Sequence, residues 1–263
     1  MITAVLQFSG NKKIISLNCL TMPEEILMIV SIVIVAFFYS SIGHGGASGY
    51  LAIMALLGLN MQLLRSSALI LNLFVSGIAF YQYYRKGFFK WDLFYPFALS
   101  SVPASFLGGL ITLNPDIYKK ILGLCLFIAV LRIIFVNKDK INSKKLSIFS
   151  GILIGAALGF VSGIIGIGGG IFLSPILLLM HWANMKETAT VSALFIFVNS
   201  LAGIAGIWTS GTLFLTQVWI WILAAILGGL LGSYTGSSKA SVKTLRYVLS
   251  SVLLFAGIKL ILF

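Results

Sequence analysis

Residues 40–49 read Ser40-Ser41-Ile42-Gly43-His44-Gly45-Gly46-Ala47-Ser48-Gly49, and residues 162–170 read Ser162-Gly163-Ile164-Ile165-Gly166-Ile167-Gly168-Gly169-Gly170. A long apolar segment precedes each cluster (24–42 and 146–166) and a short one follows it (47–59 and 171–182). Glycine inside a helix costs up to about 1 kcal/mol per residue relative to alanine, so a cluster of this density interrupts one. The short segments reach about 20 and 18 Å as helices, less than a hydrocarbon core of about 30 Å. Broken backbone at membrane depth is tolerated where protein covers it or where it lines a cavity. Each break is then followed by a helix N-terminus, whose unpaired amides and positive dipole end attract an anion. Two such N-termini meeting near the bilayer midplane would hold a small anion between them. The other reading of the glycines is close helix packing, to which Gly and Ala are also suited.

The rest of the chain fits this setting. Hydrophobic residues make up 59% of 263 and charged residues 9%, against about 25% charged in a soluble domain. The surface must therefore face lipid. Continuous apolar runs exclude the alternating pattern of a β-barrel, so the expected class is an all-α, polytopic membrane protein. The net charge of +12 reads as basic cytoplasmic loops and not as a nucleic-acid surface. Cys19 and Cys125 form neither a disulfide framework nor a metal motif, and no cofactor is expected.

Ten apolar segments occur, in the repeated order long, short, long, long, long: 24–42, 47–59, 64–84, 91–113 and 118–136, then 146–166, 171–182, 188–209, 216–236 and 242–262. About eight long helices and two short ones are expected. Gly43-His44-Gly45-Gly46-Ala47 aligns with Gly166-Ile167-Gly168-Gly169-Gly170, Asn60-Met61 with Asn184-Met185, Ser67-Ala68-Leu69 with Ser192-Ala193-Leu194, and Gly108-Gly109-Leu110 with Gly228-Gly229-Leu230. The common order indicates two sequence-related repeats, at 22–136 and 146–263, after a polar leader (1–21) and joined by a basic linker (137–145). Twelve of the eighteen basic residues fall on the linker's side when all ten segments cross, which places the linker in the cytoplasm. Five crossings per half give inverted repeats. Trp91, Trp182, Trp208, Trp219 and Trp221 lie near segment ends, where amphipathic rings favour the interface.

Candidate substrate contacts follow from the breaks. They are Ser40, Ser41, Gly43, His44, Gly45, Gly46 and Ser48 in the first, and Gly166, Gly168, Gly169, Gly170 and Ser174 in the second. His44 can donate to an anion or titrate near neutral pH. His181 reads as interfacial. Arg65 either holds an anion's oxygens in its fork or snorkels from a helix end. Asn72 and Asn199 lie within apolar helices, where they contact a ligand or bond a neighbouring helix. The six acids, Glu24, Glu25, Asp92, Asp116, Asp139 and Glu187, all fall at segment ends or in loops. This disfavours cation transport, which usually places an acid within a span.

Gly43-His44-Gly45-Gly46 with Ser48-Gly49-Tyr50-Leu51-Ala52, and Gly166-Ile167-Gly168-Gly169-Gly170 through Ser174-Pro175, resemble the paired glycine-rich motifs of the TauE/SafE sulfite-exporter family. Arg65-Ser66-Ser67-Ala68 through Asn72, and Phe195 through Asn199-Ser200, resemble the helices that follow. The likeness covers about residues 24–262. It implies an inner-membrane permease for sulfite, sulfonates or related small anions. The first motif departs by having Ala47 and Ser48 where the second has Gly170 and Ile171. Transport by alternating access is the leading expectation. An anion channel and a non-transporting membrane assembly subunit are the alternatives. An intramembrane enzyme lacks a nucleophile–base pair or metal cluster. The expected partners are a small anionic substrate and the lipid bilayer; the sequence gives no oligomeric state.

Overall fold

The computed structural model describes residues 22–135, 146–211 and 218–238. The leader at 1–21, the linker at 137–145 and the last apolar segment at 242–262 lie outside these. Among the described residues the chain is all helical: α1 Met22–Ser40, α2 Ala47–Leu56, α3 Met61–Tyr84, α4 Trp91–Leu110, α5 Pro115–Phe135, α6 Ile148–Ile165, α7 Gly170–Leu179, α8 Met185–Thr209 and α9 Val218–Ser238. Six of them (α1, α3, α4, α6, α8 and α9) are long and apolar enough to cross a membrane. The chain is a multi-pass α-helical membrane protein. Trp91, Trp208 and Trp219 stand exposed, as interface residues would, whereas Trp182 and Trp221 turn inward.

Helix directions follow from residue contacts. Along α6, Gly151, Gly155, Gly159 and Gly163 lie in turn against Pro96, Phe97, Ser101 and Ser105 of α4, so the two run parallel. In the same way Gly228, Gly232 and Gly236 of α9 lie against Val33 and Phe37 of α1 and Ser41 just beyond it. Helices α3 and α8 cross antiparallel at the centre, with Gly77 beside Phe197 and Leu69 beside Gly203. Tyr83 near the end of α3 donates to the Ser41 carbonyl at 2.8 Å, so α1 and α3 end on the same face. Consequently α1, α3 and α9 run one way and α4, α6 and α8 the other. The packing keeps its form when α1 is exchanged for α6, α3 for α8 and α4 for α9: α1 packs on α9 as α6 on α4, and α3 on α9 as α8 on α4.

Four-residue spacing of glycine puts one stripe on one helix face, and such a stripe lets backbones approach closely in lipid. A Cβ at Gly159 would overlap the Ser101 carbonyl. Gly159→Leu is therefore expected to lower the apparent melting temperature of the purified protein and its monodisperse yield, with an overpacking cost of about 1–3 kcal/mol or more. Leu153→Ile, on the exposed side of the same helix, should leave both unchanged in a fluorescence-detected thermal scan.

The two short helices end alike and start alike. Each closes with a Schellman motif: Leu59 N–H to the Met54 carbonyl (3.1 Å) and Trp182 N–H to the Leu177 carbonyl (2.9 Å). The left-handed residue is Gly58 in one and His181, at φ 56°, in the other. His181 thus serves a turn. Asn60 and Asn184 then cap α3 and α8, the latter in a capping box with Glu187. Glu187 also pairs with Lys90 at 2.6 Å. The matched Asn-Met pairs of the sequence are these helix starts.

Candidate functional site

Gly46 at φ 97° and Gly169 at φ 75° are the N-cap residues of α2 and α7. Left-handed backbone is nearly free for glycine and strained for other residues, which is why the breaks need glycine at these two points. The stretch 41–46 leaves the end of α1 near Tyr83 and reaches Asn72, halfway along α3. From there α2 runs to the start of α3. The second break leaves the end of α6 beside Arg65 and also reaches Asn72, opposite Ser200 of α8. Helix α7 then runs to the start of α8. Each short helix has ten residues, about 15 Å or half of a hydrocarbon core. The two start at one junction and run to opposite faces.

Asn72 holds the junction. Its Oδ1 accepts from Ala47 N–H, the first amide of α2, at 3.3 Å. Its Nδ2 donates to the Ile167 carbonyl of the second break at 3.2 Å and to Ser200 Oγ at 3.1 Å. A Cβ at Gly45 or at Gly168 would overlap the Asn72 amide, so glycine is required for both breaks to close on one side chain. Asn72 is 1% exposed, and a buried amide in lipid is tolerable because it makes these three hydrogen bonds.

His44 forms a second tie between the halves. Its Nδ1 lies 2.9 Å from the Ile42 carbonyl, and its Nε2 lies 2.8 Å from Ser174 Oγ on α7. A carbonyl only accepts, so Nδ1 carries a proton. Ser174 Oγ is also 2.8 Å from Ser192 Oγ on α8 and 2.9 Å from the Gly170 carbonyl. The hydroxyl can donate to a neutral ring or accept from a charged one. The same geometry thus accommodates both charge states of His44. Ser48 bonds Tyr39 Oη at 2.6 Å, while Ser40 and Ser41 donate to carbonyls one turn back in α1, at 3.3 and 2.7 Å.

Several of the sequence candidates sit elsewhere: Gly43 packs on Ala189, Gly166 on Arg65, and Ser41 lies beside Tyr83. Arg65 lies two turns before Asn72, where its guanidinium caps the ends of two helices. Nε and Nη2 donate to the Gly163 carbonyl at 3.2 and 2.6 Å, Nη2 to those of Gly108 and Gly109 at 2.8 and 3.0 Å, and Nη1 to that of Ile111 at 2.8 Å. A recess of about 40 Å³ beside it is lined by Gln62, Ser66, Thr112 and Tyr118 among others. Asn199 turns to α4, donating to Ser101 Oγ at 3.0 Å and to the Phe195 carbonyl at 2.8 Å. Ser192 and Ser200 belong with the junction although sequence reasoning did not select them as contacts; their only signal is their place about two and four turns along a helix that also carries Asn199. Among the described residues no group of three His, Cys, Asp or Glu side chains could hold a metal ion.

Comparison with known proteins agrees with this architecture. The sequence profile described as "Sulfite exporter TauE/SafE" matches residues 28–260. The "Probable membrane transporter protein y4hK" of Sinorhizobium fredii is 35% identical over 246 residues, covering 90% of this chain and 98% of that one. The "Probable membrane transporter protein YjnA" of Bacillus subtilis is 26% identical over 257 residues, covering 89% and 100%. A similarly named transporter of Methanocaldococcus jannaschii is 28% identical over 189 residues, covering 66% and 69%. No solved structure matches. With a profile match across nearly the whole chain and named membrane transporters matched along most of their length, the chain belongs to the TauE/SafE family of membrane transporters.

Proposed function

We propose that the protein is a permease for a small oxyanion, sulfite or a short organosulfonate, and that the substrate binds where the two glycine breaks meet. The observation that carries this reading is Asn72, which ties the first amide of α2 to the backbone of the opposite break. Two helix N-termini directed at one point from opposite faces supply partial positive charge without a buried cation. An anion is the ligand such a junction suits, and the name of the family points to sulfite. His44, Gly45, Gly46 and Ser48 contribute from the first break, and Gly168, Gly169, Gly170 and Ser174 from the second.

The exchange symmetry of the helix packing supports reading the halves as inverted repeats of a duplicated unit. In such transporters one repeat rocks against the other around a fixed midplane site. Here the Asn72 and His44 ties would break and re-form as the breaks part. The face where α3 ends carries Arg85, Lys86, Lys90 and Lys186, which favours the cytoplasm for that face and for the linker after α5.

Purified protein in liposomes should take up sulfite or a small sulfonate down its gradient, and single-channel steps should be absent in bilayer recording. Bulky substitution of both Gly45 and Gly169 should abolish uptake. Uptake at the wild-type rate in that double variant defeats the site assignment. Uptake of none of sulfite, sulfate, thiosulfate or a short sulfonate defeats the substrate class.

A further inference from the structure

Two deeply buried hydroxyls at the junction have no hydrogen-bond partner among the described residues: Tyr50 Oη and Ser162 Oγ. Tyr50 is 0% and Ser162 1% exposed. Each lies against the glycine that opens a half-helix. A Cβ at Gly46 would stand 2.9 Å from Tyr50 Oη, and one at Gly169 would stand 3.4 Å from Ser162 Cβ. Tyr50 belongs to the first turn of α2, and helical side chains lean towards the N-terminus, so its hydroxyl sits over the amides of its own helix start. Ser162 comes from the last turn of α6 and flanks the start of α7.

A buried hydroxyl without a partner is a net cost to folding, and replacing it by an apolar group of the same shape is usually neutral or favourable. Tyr50 would be cheaper to the fold as Phe and Ser162 as Ala. The other unpartnered oxygens among the described residues are placed differently. Ser66, Ser67 and Thr188 lie near the starts of α3 and α8, away from the N-cap glycines, and Asn199 Oδ1 is an acceptor that an anion would avoid. Among the described residues only Tyr50 and Ser162, one from each half, place a free O–H donor beside a half-helix N-terminus.

We infer that Tyr50 and Ser162 are substrate contacts, whose hydroxyls donate to two oxygens of the bound oxyanion. The inference rests on the permease reading above and adds two residues to its site, a phenol from one half and an alcohol from the other. The ligand class it selects is an anion with at least two acceptor oxygens on one centre.

Tyr50→Phe and Ser162→Ala test it, with sulfite binding measured by thermal shift and by titration calorimetry on purified full-length protein. Each variant should melt no lower than wild type without ligand, yet bind sulfite about tenfold more weakly, the size of one hydrogen bond to a charged group. Ser162→Thr, which keeps the hydroxyl, should recover most of the lost affinity. Ser67→Ala removes an unpartnered hydroxyl elsewhere and should bind as wild type. If Tyr50→Phe and Ser162→Ala both bind within twofold of wild type, the hydroxyls are merely buried and the inference fails while the permease reading stands. If the wild type binds no oxyanion, both fall together.

Discussion

Replacing Asn72 by Ala should lower the initial rate of oxyanion uptake by about ten- to a hundredfold, and replacing it by Asp should lower it further. The alanine variant removes one acceptor and two donor bonds, leaving Ala47 N–H, the Ile167 carbonyl and Ser200 Oγ to find other partners. A net loss of about 1.5–3 kcal/mol from these three bonds, roughly 0.5–1 kcal/mol each, corresponds to that range of rates. The aspartate variant separates two roles. As a structural pin, Asp keeps the bond to Ala47 N–H and gains from the helix dipole, so it should be the milder change. As part of an anion site, Asp sets a negative charge beside the substrate and beside the Ile167 carbonyl, so it should be the harsher one. The expected order is wild type, then Ala, then Asp in uptake, with thermal stability of Asp no lower than that of Ala. Uptake by the Asp variant above that of the Ala variant would show Asn72 to be a pin alone.

Much of this arrangement is legible in residue order. Where a helix must stop inside lipid, the chain writes several glycines, and the length of the next apolar run says how far the following helix reaches. That reasoning places α2 and α7 within a few residues of their observed bounds, 47–59 against Ala47–Leu56 and 171–182 against Gly170–Leu179. The overshoot at their ends has one cause: Leu59 and Trp182 are apolar but belong to the Schellman turns. The apolar segments begin later than α3 and α8 do, at 64 and 188 instead of Met61 and Met185, because the capping roles of Asn60 and Asn184 act through geometry that hydropathy does not register.

Which polar residue faces the junction is a different matter. Asn72 and Asn199 look equivalent in sequence, each an amide in an apolar helix after a glycine break. In space they are not. Gly43 packs on Ala189 as Gly166 packs on Arg65, a register that puts Ile196 in the place of Asn72 and leaves Asn199 one turn beyond it, facing α4. A slip of three residues along a helix keeps a side chain near the same face but moves it about 4.5 Å along the axis, enough to exchange the junction for a helix–helix contact. The partner of His44 across the halves is equally hidden, since Ser174, itself bonded to Ser192, reaches the ring only through the crossing of the two halves.

Arg65 offers the other large effect, and it concerns the fold more than the substrate. Arg65→Met is expected to yield little monodisperse protein, whereas Arg65→Lys should fold and bind sulfite within about twofold of wild type. Methionine would strand the carbonyls of Gly108, Gly109, Ile111 and Gly163 at the ends of α4 and α6. At roughly 1–3 kcal/mol for each buried unsatisfied carbonyl, water replacing only some of them, the loss is on the order of 4 kcal/mol or more. Folded domains hold only about 5–15 kcal/mol in reserve. The electrostatics point the same way, because two helix C-termini each present about half a negative charge, together close to the single positive charge of the guanidinium. Little field is left over for an anion at that position. Lysine retains the charge and up to three donors without the planar fork, so a partial loss of thermal stability with intact affinity is the expected signature. Should Arg65→Lys fold normally and lose sulfite binding by tenfold or more in calorimetry, the guanidinium would have to be counted among the substrate's contacts, and the anion's path would run past the ends of α4 and α6.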